Sequence, residues 1–289
     1  MIVVTGATGR LGQLVIGGLL QRVPAEQVIA AVRSPAKAAP LAALGVTVRA
    51  ADYNEPGQLG AALAGADRVL LISSNDPRQS VAQHAAVVEA ARQAGAGLLA
   101  YTSLWHADTS ALLTAVPHRL TEPIIRDSGV PYAFLRNNLY TDHYGPQIMQ
   151  AARSGIFVGS AGTGRVASAT RADLAAAAVA VLTGNGHENR VYELGGDVAW
   201  SYAELAAVLS EVTGHEVAYQ SISPAEHHAL LIAAGIPPVA ADLFINTYTA
   251  IAEGQLAGTP GDLRALIGRP TTSLADAVSA MLSSWPASV

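Results

Sequence analysis

The stretch IVVTGATGRLG, residues 2–12, runs four β-branched residues straight into glycines at positions 6, 9 and 12, followed by a helical pattern. In a strand–turn–helix unit each of these glycines has a separate task. The first allows the tight turn, the second lets phosphate oxygens approach the backbone, and the third lets the helix pack against the strand. The first amides of the helix then face an anion, aided by the helix dipole. A plain strand–helix turn is the competing reading, but a strand on one side and a helix on the other supply the context that a nucleotide cradle requires.

Outward from this turn, apolar runs at 2–5, 28–33, 46–51, 68–73, 98–103 and 132–136 alternate with segments of helical period. Such alternation implies parallel strands covered by helices on both faces. The expected fold is α/β: a Rossmann-type doubly wound parallel sheet with a smaller, mostly helical C-terminal region. Past Tyr140 the pattern loosens into helices near 171–183, 201–213, 224–234 and 239–253, with extended pieces at 191–194 and 216–220. We therefore expect a dinucleotide-binding domain over 1–140, with later segments free to return to the sheet, and a substrate-pocket region over 141–289 packed on it.

Composition narrows the function. With 51% hydrophobic and 13% charged residues the chain belongs among compact globular proteins. A net charge of −5 offers no basic footprint, so nucleic acid is not an expected partner. The absence of cysteine removes thiolate chemistry and cysteine-ligated metals. The eight histidines show no metal-ligand spacing, and His227 and His228, being adjacent, cannot share a helix face. No apolar run approaches the ~20 residues that span a bilayer. The expectation is a cytoplasmic protein without metal or membrane, acting on a small molecule, with room for a homodimer.

The second strand end selects the nucleotide. An NAD site usually carries an acidic residue there to hold the ribose hydroxyls. This chain has Arg33 at that position and Lys37 one turn later, and a guanidinium can grip a 2′-phosphate with two parallel bonds. NADP(H) is therefore expected, against the alternative of two solvated cations. Asp52 after the third strand could accept the adenine amino group, cap a helix or simply be solvated in a loop. Ser73 and Ser74 end the fourth strand, at the sheet edge over which a dinucleotide passes.

Taken together, these residues resemble the NmrA-like atypical short-chain dehydrogenases, and more narrowly the bacterial type-two NAD(P)H:quinone oxidoreductases. The resemblance runs through TGATGRLG, AVRSPAK, AYTSLWHADTS, SGVPYAFLRNNLYTDHY and ASATRADLAAAA, and covers nearly the whole chain. It implies dinucleotide contacts at Gly6, Thr8, Gly9, Arg10, Leu11, Gly12, Arg33, Asp52, Ser73 and Asn137. Most short-chain dehydrogenases carry a Tyr-x-x-x-Lys pair; here the corresponding helix reads His118-Arg119-Leu120-Thr121-Glu122, an i, i+4 pair of different chemistry. The His/Glu arrangement is that of the quinone-reductase subgroup. Asn138, Asp142 and His143 depart from the subgroup on the substrate side.

A missing strong acid suits quinones better than simple ketones. The reduced quinone oxygen is a phenolate of pKa near ~10, which weak donors or water can protonate. Candidate catalytic residues are Tyr140, His118 and Ser103, with Asn137 placed to hold a nicotinamide carboxamide. Trp105 could be a pocket wall or a loop plug, and His106 a second donor. The expected function is NADPH-dependent reduction of quinones or related electrophilic carbonyls; the alternative is a non-catalytic NADP(H) redox sensor.

Overall fold

The computed structural model describes residues 1–74, 76 and 78–284. Strands β1 (Ile2–Thr5), β2 (Val28–Val32), β3 (Thr47–Ala50), β4 (Arg68–Leu71), β5 (Leu98–Leu104) and β6 (Tyr132–Asn137) are those read from the sequence. They are followed by β7 (Ile156–Gly159), β8 (Arg165–Val166), β9 (Arg190–Leu194), β10 (Trp200–Ser201) and β11 (Ala218–Ser221). The main sheet is parallel throughout, in the order β3-β2-β1-β4-β5-β6-β9. The order reverses between β1 and β4, where open α/β sheets leave a crevice at the carboxyl ends of their strands.

The helices are α1 (Arg10–Leu19), α2 (Ala39–Ala42), α3 (Pro56–Leu63), α4 (Ser80–Gln93), α5 (Val116–Asp127) and α6 (Gly145–Ser154). Then come α7 (Arg171–Thr183), α8 (Tyr202–Thr213), α9 (Pro224–Ala233), α10 (Pro238–Ala252), α11 (Asp262–Ile267) and α12 (Leu274–Ser284).

Side chains alternate across each strand, so a strand buried on both faces must be apolar at every position. In β1 and β2, Val4, Ala30 and Val32 join a core under α1 and α7, while Val3, Ile29 and Ala31 join one under α3, α4 and α5. A third core gathers Trp105, Phe157, Trp200, Tyr202 and Tyr248 around α6, α8 and α10.

Two edge strands are less apolar than the interior ones. β3, read as buried, exposes Thr47 and Ala50, and β9, read as a loose extended piece, pairs in register with β6. A helix and a strand from beyond residue 140 thus complete the nucleotide-binding layers. Arg68 at the start of β4 secures them by donating to the carbonyls of Val181 and Gly184.

Candidate functional site

At the β1–α1 turn, Gly6 lies at φ +60°, in the left-handed region that glycine enters without cost. A Cβ on Gly12 would stand 2.6 Å from the Gly6 carbonyl oxygen and 2.7 Å from Ala7 Cα, so only glycine lets α1 begin this close to β1. Gly9 occupies the N-cap of α1 without any side-chain cap, which leaves the first amides of the helix available to an outside anion. Arg10 is exposed beside them; Leu11 is buried in the core and can offer only its backbone. The Thr8 carbonyl is engaged by Gln13.

Arg33 directly follows β2, and Lys37 lies in the 3-10 turn after it; both side chains are exposed. Among the described residues no carboxylate pairs with either. Asp52 uses one carboxylate oxygen to accept from the Asn54 backbone at 3.0 Å, closing a local turn, and does not cap α3. Ser73 borders the pocket, whereas Ser74 points its amide at buried His84.

The pocket, about 440 Å³, lies over the ends of β4, β5 and β6. Its floor follows from sheet register. Ser103 on β5 stands opposite Arg136 on β6, and Arg136 stands opposite Glu193 on β9. Glu122 descends from α5 onto this row. Arg136 grips it with two parallel bonds, Nε to Oε1 at 2.9 Å and NH2 to Oε2 at 2.7 Å, and also reaches Glu193 at 2.8 Å. Ser103 donates its hydroxyl hydrogen to Glu122 at 2.7 Å. The Ser103 oxygen can therefore present lone pairs to the pocket but has no proton left to give.

Beside this floor, Asn137 is buried; its amide nitrogen donates to the Tyr140 hydroxyl at 3.1 Å, and its oxygen Oδ1 has no partner. A buried acceptor without a donor is costly and signals a missing group. The carboxamide nitrogen of a nicotinamide is a donor of that kind, so the orphaned oxygen and the bare glycine turn both fit a dinucleotide lying between them. Tyr140 keeps its own hydroxyl hydrogen. Burial, only partly offset by the Asn137 bond and by Arg171, raises its pKa, and the Arg171 guanidinium packs 5.1 Å from its ring centre. Tyr140 is thus both a pocket wall and an available donor.

His118 also borders the pocket, and its Nδ1 lies 2.8 Å from the Tyr101 hydroxyl. Burial pulls its pKa down to about 4 despite the opposing effect of Glu122. Hence the His118–Glu122 pair inferred from i, i+4 spacing serves two separate networks.

Trp105 is the loop plug of its two readings. It is 2% exposed, donates to the Gln255 carbonyl and packs against Gly258. His106 sits at φ +47° near Glu193, away from the pocket lining, which sets it aside as a donor there. Asn138 and Asp142 have structural duties. Asn138 braces the Leu256 carbonyl, and Asp142 accepts from the Arg171 amide and side chain.

Sequence reasoning missed the opposite wall. Ala240, Leu243, Phe244, Thr247 and Tyr248 of α10 face the pocket, with Tyr202 stacked on Tyr248 at 5.2 Å. Their i, i+3, i+4, i+7, i+8 spacing was the available signal for a single helix face. Among the described residues there is no cluster that could hold a metal ion, and no helix is long and apolar enough to cross a membrane.

Residues 6–185 match the model of an NAD(P)H-binding family. The chain is 48% identical to quinone oxidoreductase 2 of Escherichia coli, over 96% of this chain and 98% of that one. The structure of that NADPH-dependent enzyme complexed with NADPH superposes with a TM-score of 0.94, covering 98% of this chain and 100% of the other at 47% identity. Triphenylmethane reductase of Citrobacter sp., solved with NADP(H), gives 0.93 at 44% identity, over 97% and 100% of the two chains. An NmrA-like family domain-containing oxidoreductase of Aspergillus flavus is 27% identical over 96% of this chain and 94% of its own. With a bare glycine cradle, an orphaned acceptor at the far end of the cleft and these full-length likenesses, the chain belongs to the NAD(P)H-binding family.

Proposed function

We propose that the protein reduces quinones with NADPH, the dinucleotide lying from Arg33 across the glycine turn to Asn137. The orphaned Asn137 oxygen at the pocket floor carries this reading, because it marks the nicotinamide end beside a cleft of small-molecule size. Bound there, the cofactor supplies the hydride. The protein's part is to orient and to exclude water. Gly9 and the first amides of α1 hold the pyrophosphate, Arg33 and Lys37 take the 2′-phosphate, and Asn137 sets the ring. Leu243, Phe244 and Tyr248 provide an apolar, aromatic slot for a flat acceptor, and Tyr140 or His118 donates to its oxygen.

The likeness to quinone oxidoreductase 2 supports the acceptor class. The pocket volume, inside the ~300–1,000 Å³ range of small-molecule sites, favours turnover over sensing alone. Action on small molecules in the cytoplasm, as a monomer or a homodimer, is part of the same proposal. Steady-state oxidation of NADPH by a panel of small benzoquinones tests it: we expect saturable turnover, and rates no higher than the uncatalysed background would overturn the assignment.

A further inference from the structure

A run of buried polar groups leads from α4 to the pocket, and its proton positions follow from one donor whose direction cannot be reversed. The Ser74 backbone N–H lies 2.8 Å from His84 Nε2. An amide nitrogen only donates, so His84 Nε2 carries no proton. Burial and then the neighbouring His118 hold His84 at a pKa of about 4, so the neutral ring bears its hydrogen on Nδ1. That nitrogen lies 2.9 Å from Thr121 Oγ1, whose own hydrogen goes to the Pro117 carbonyl at 2.8 Å. The Tyr101 hydroxyl stands 3.4 Å from the same protonated nitrogen and 2.8 Å from His118 Nδ1. Tyr101 also bonds Thr121, but that oxygen already accepts the His84 Nδ1 hydrogen, so the acceptor left free for the Tyr101 hydrogen is His118 Nδ1.

From this geometry we propose that Ser74, His84 and Tyr101 hold His118 in its Nε2–H tautomer, so that a neutral imidazole N–H faces the pocket. Tyr101 is then a positioning residue and His118 the group that touches the acceptor. His118 borders the pocket, and its Nε2 is neither paired among the described residues nor fully buried. The groups facing the ring are Tyr101 from β5, Glu122 one turn on in α5 and, across Tyr101, His84 from α4. A neutral N–H keeps its hydrogen throughout the physiological range, and its bond strengthens as charge grows on the acceptor oxygen. No proton has to leave the relay: the phenolate is held, and water protonates it afterwards.

The effect on turnover rests on the quinone-reductase reading; the tautomer does not. The test is a nitrogen-15 multiple-bond spectrum of the full chain with labelled histidine, with His118→Gln assigning the resonance. We expect His118 to show the Nε2–H pattern alone from about pH 6 to 8. In Tyr101→Phe, which deletes a single hydroxyl, the Nδ1–H form becomes detectable. Turnover of benzoquinone then falls about fivefold, the worth of one neutral hydrogen bond, with KM for NADPH unchanged. A wild-type His118 in the Nδ1–H form, or a Tyr101→Phe spectrum identical to wild type at His118, would overturn the proposal. A wild-type protein that leaves benzoquinone untouched would instead remove the quinone reading and leave the spectra to decide the tautomer.

Discussion

The two ends of the cleft are built by opposite means. At the dinucleotide end the chain presents backbone and space: glycines without side chains, uncapped amides, and the exposed cations Arg33 and Lys37. Beneath the acceptor end the charged groups are already engaged by one another, in the Ser103–Glu122–Arg136–Glu193 row. An open cradle can be written in eleven consecutive residues. A preorganised floor needs β5, β6, β9 and α5 brought together, and it stores its precision in pairings that the unfolded chain does not contain.

If that contrast is correct, damage to the floor should be paid in stability and damage to the cradle in binding. The largest effect is expected from Arg136→Leu, which leaves Glu122 buried without its bidentate partner. Breaking such a pair costs about 3–5 kcal/mol, to be read from urea unfolding; a loss under about 1 kcal/mol would mean the row is not structural. Gly12→Val should follow. Its side chain collides with backbone rather than with a movable tip, so we expect roughly 100-fold weaker NADPH binding by calorimetry, with folding weakened by about 1–3 kcal/mol.

Acidification probes the floor from another side. His84 and His118 titrate near 4 when folded and near ~6.5 when unfolded, so below that value the unfolded chain binds the extra protons. Stability is then full at neutral pH and falls as the pH drops from about 6.5 towards 4, by about 2 kcal/mol for each ring between pH 7 and 5. Urea midpoints at the two pH values check this, and a midpoint unmoved at pH 5 would show both rings to be readily solvated.

At the cradle, Arg33→Asp should weaken NADPH by roughly 10- to 100-fold, the range for a charged hydrogen bond, while NADH binding hardly changes. Equal losses for the two cofactors would take Arg33 out of the phosphate site. The smallest effect belongs to Phe244→Ala: a half-exposed wall residue should raise KM for benzoquinone by about threefold and leave NADPH affinity alone.

Legibility in the sequence followed the same division. The glycine turn and the doubly buried interior strands could be read because each depends on neighbours within a few residues. His118 and Glu122 were correctly placed on one helix, but their partners Tyr101 and Arg136 come from two different strands, so their separate roles were invisible. The extended piece at 191–194 was read but its place beside β6 was not, because an edge strand has only one neighbour and lacks the continuous apolar run that identifies an interior one. The α10 wall carried helical spacing, yet nothing local says which cavity a helix face looks into.

The late arrival of α7 and β9 also bears on how the chain is made. β6 waits some fifty residues for its outer neighbour, and α1 waits far longer for the helix that lies against it. Pairings so distant along the chain slow folding, and until they form the apolar flank of α1 stays uncovered. On a ribosome, the nucleotide-binding layers begin first but cannot close until synthesis has passed residue 194, which makes their completion a late event in the life of the nascent polypeptide.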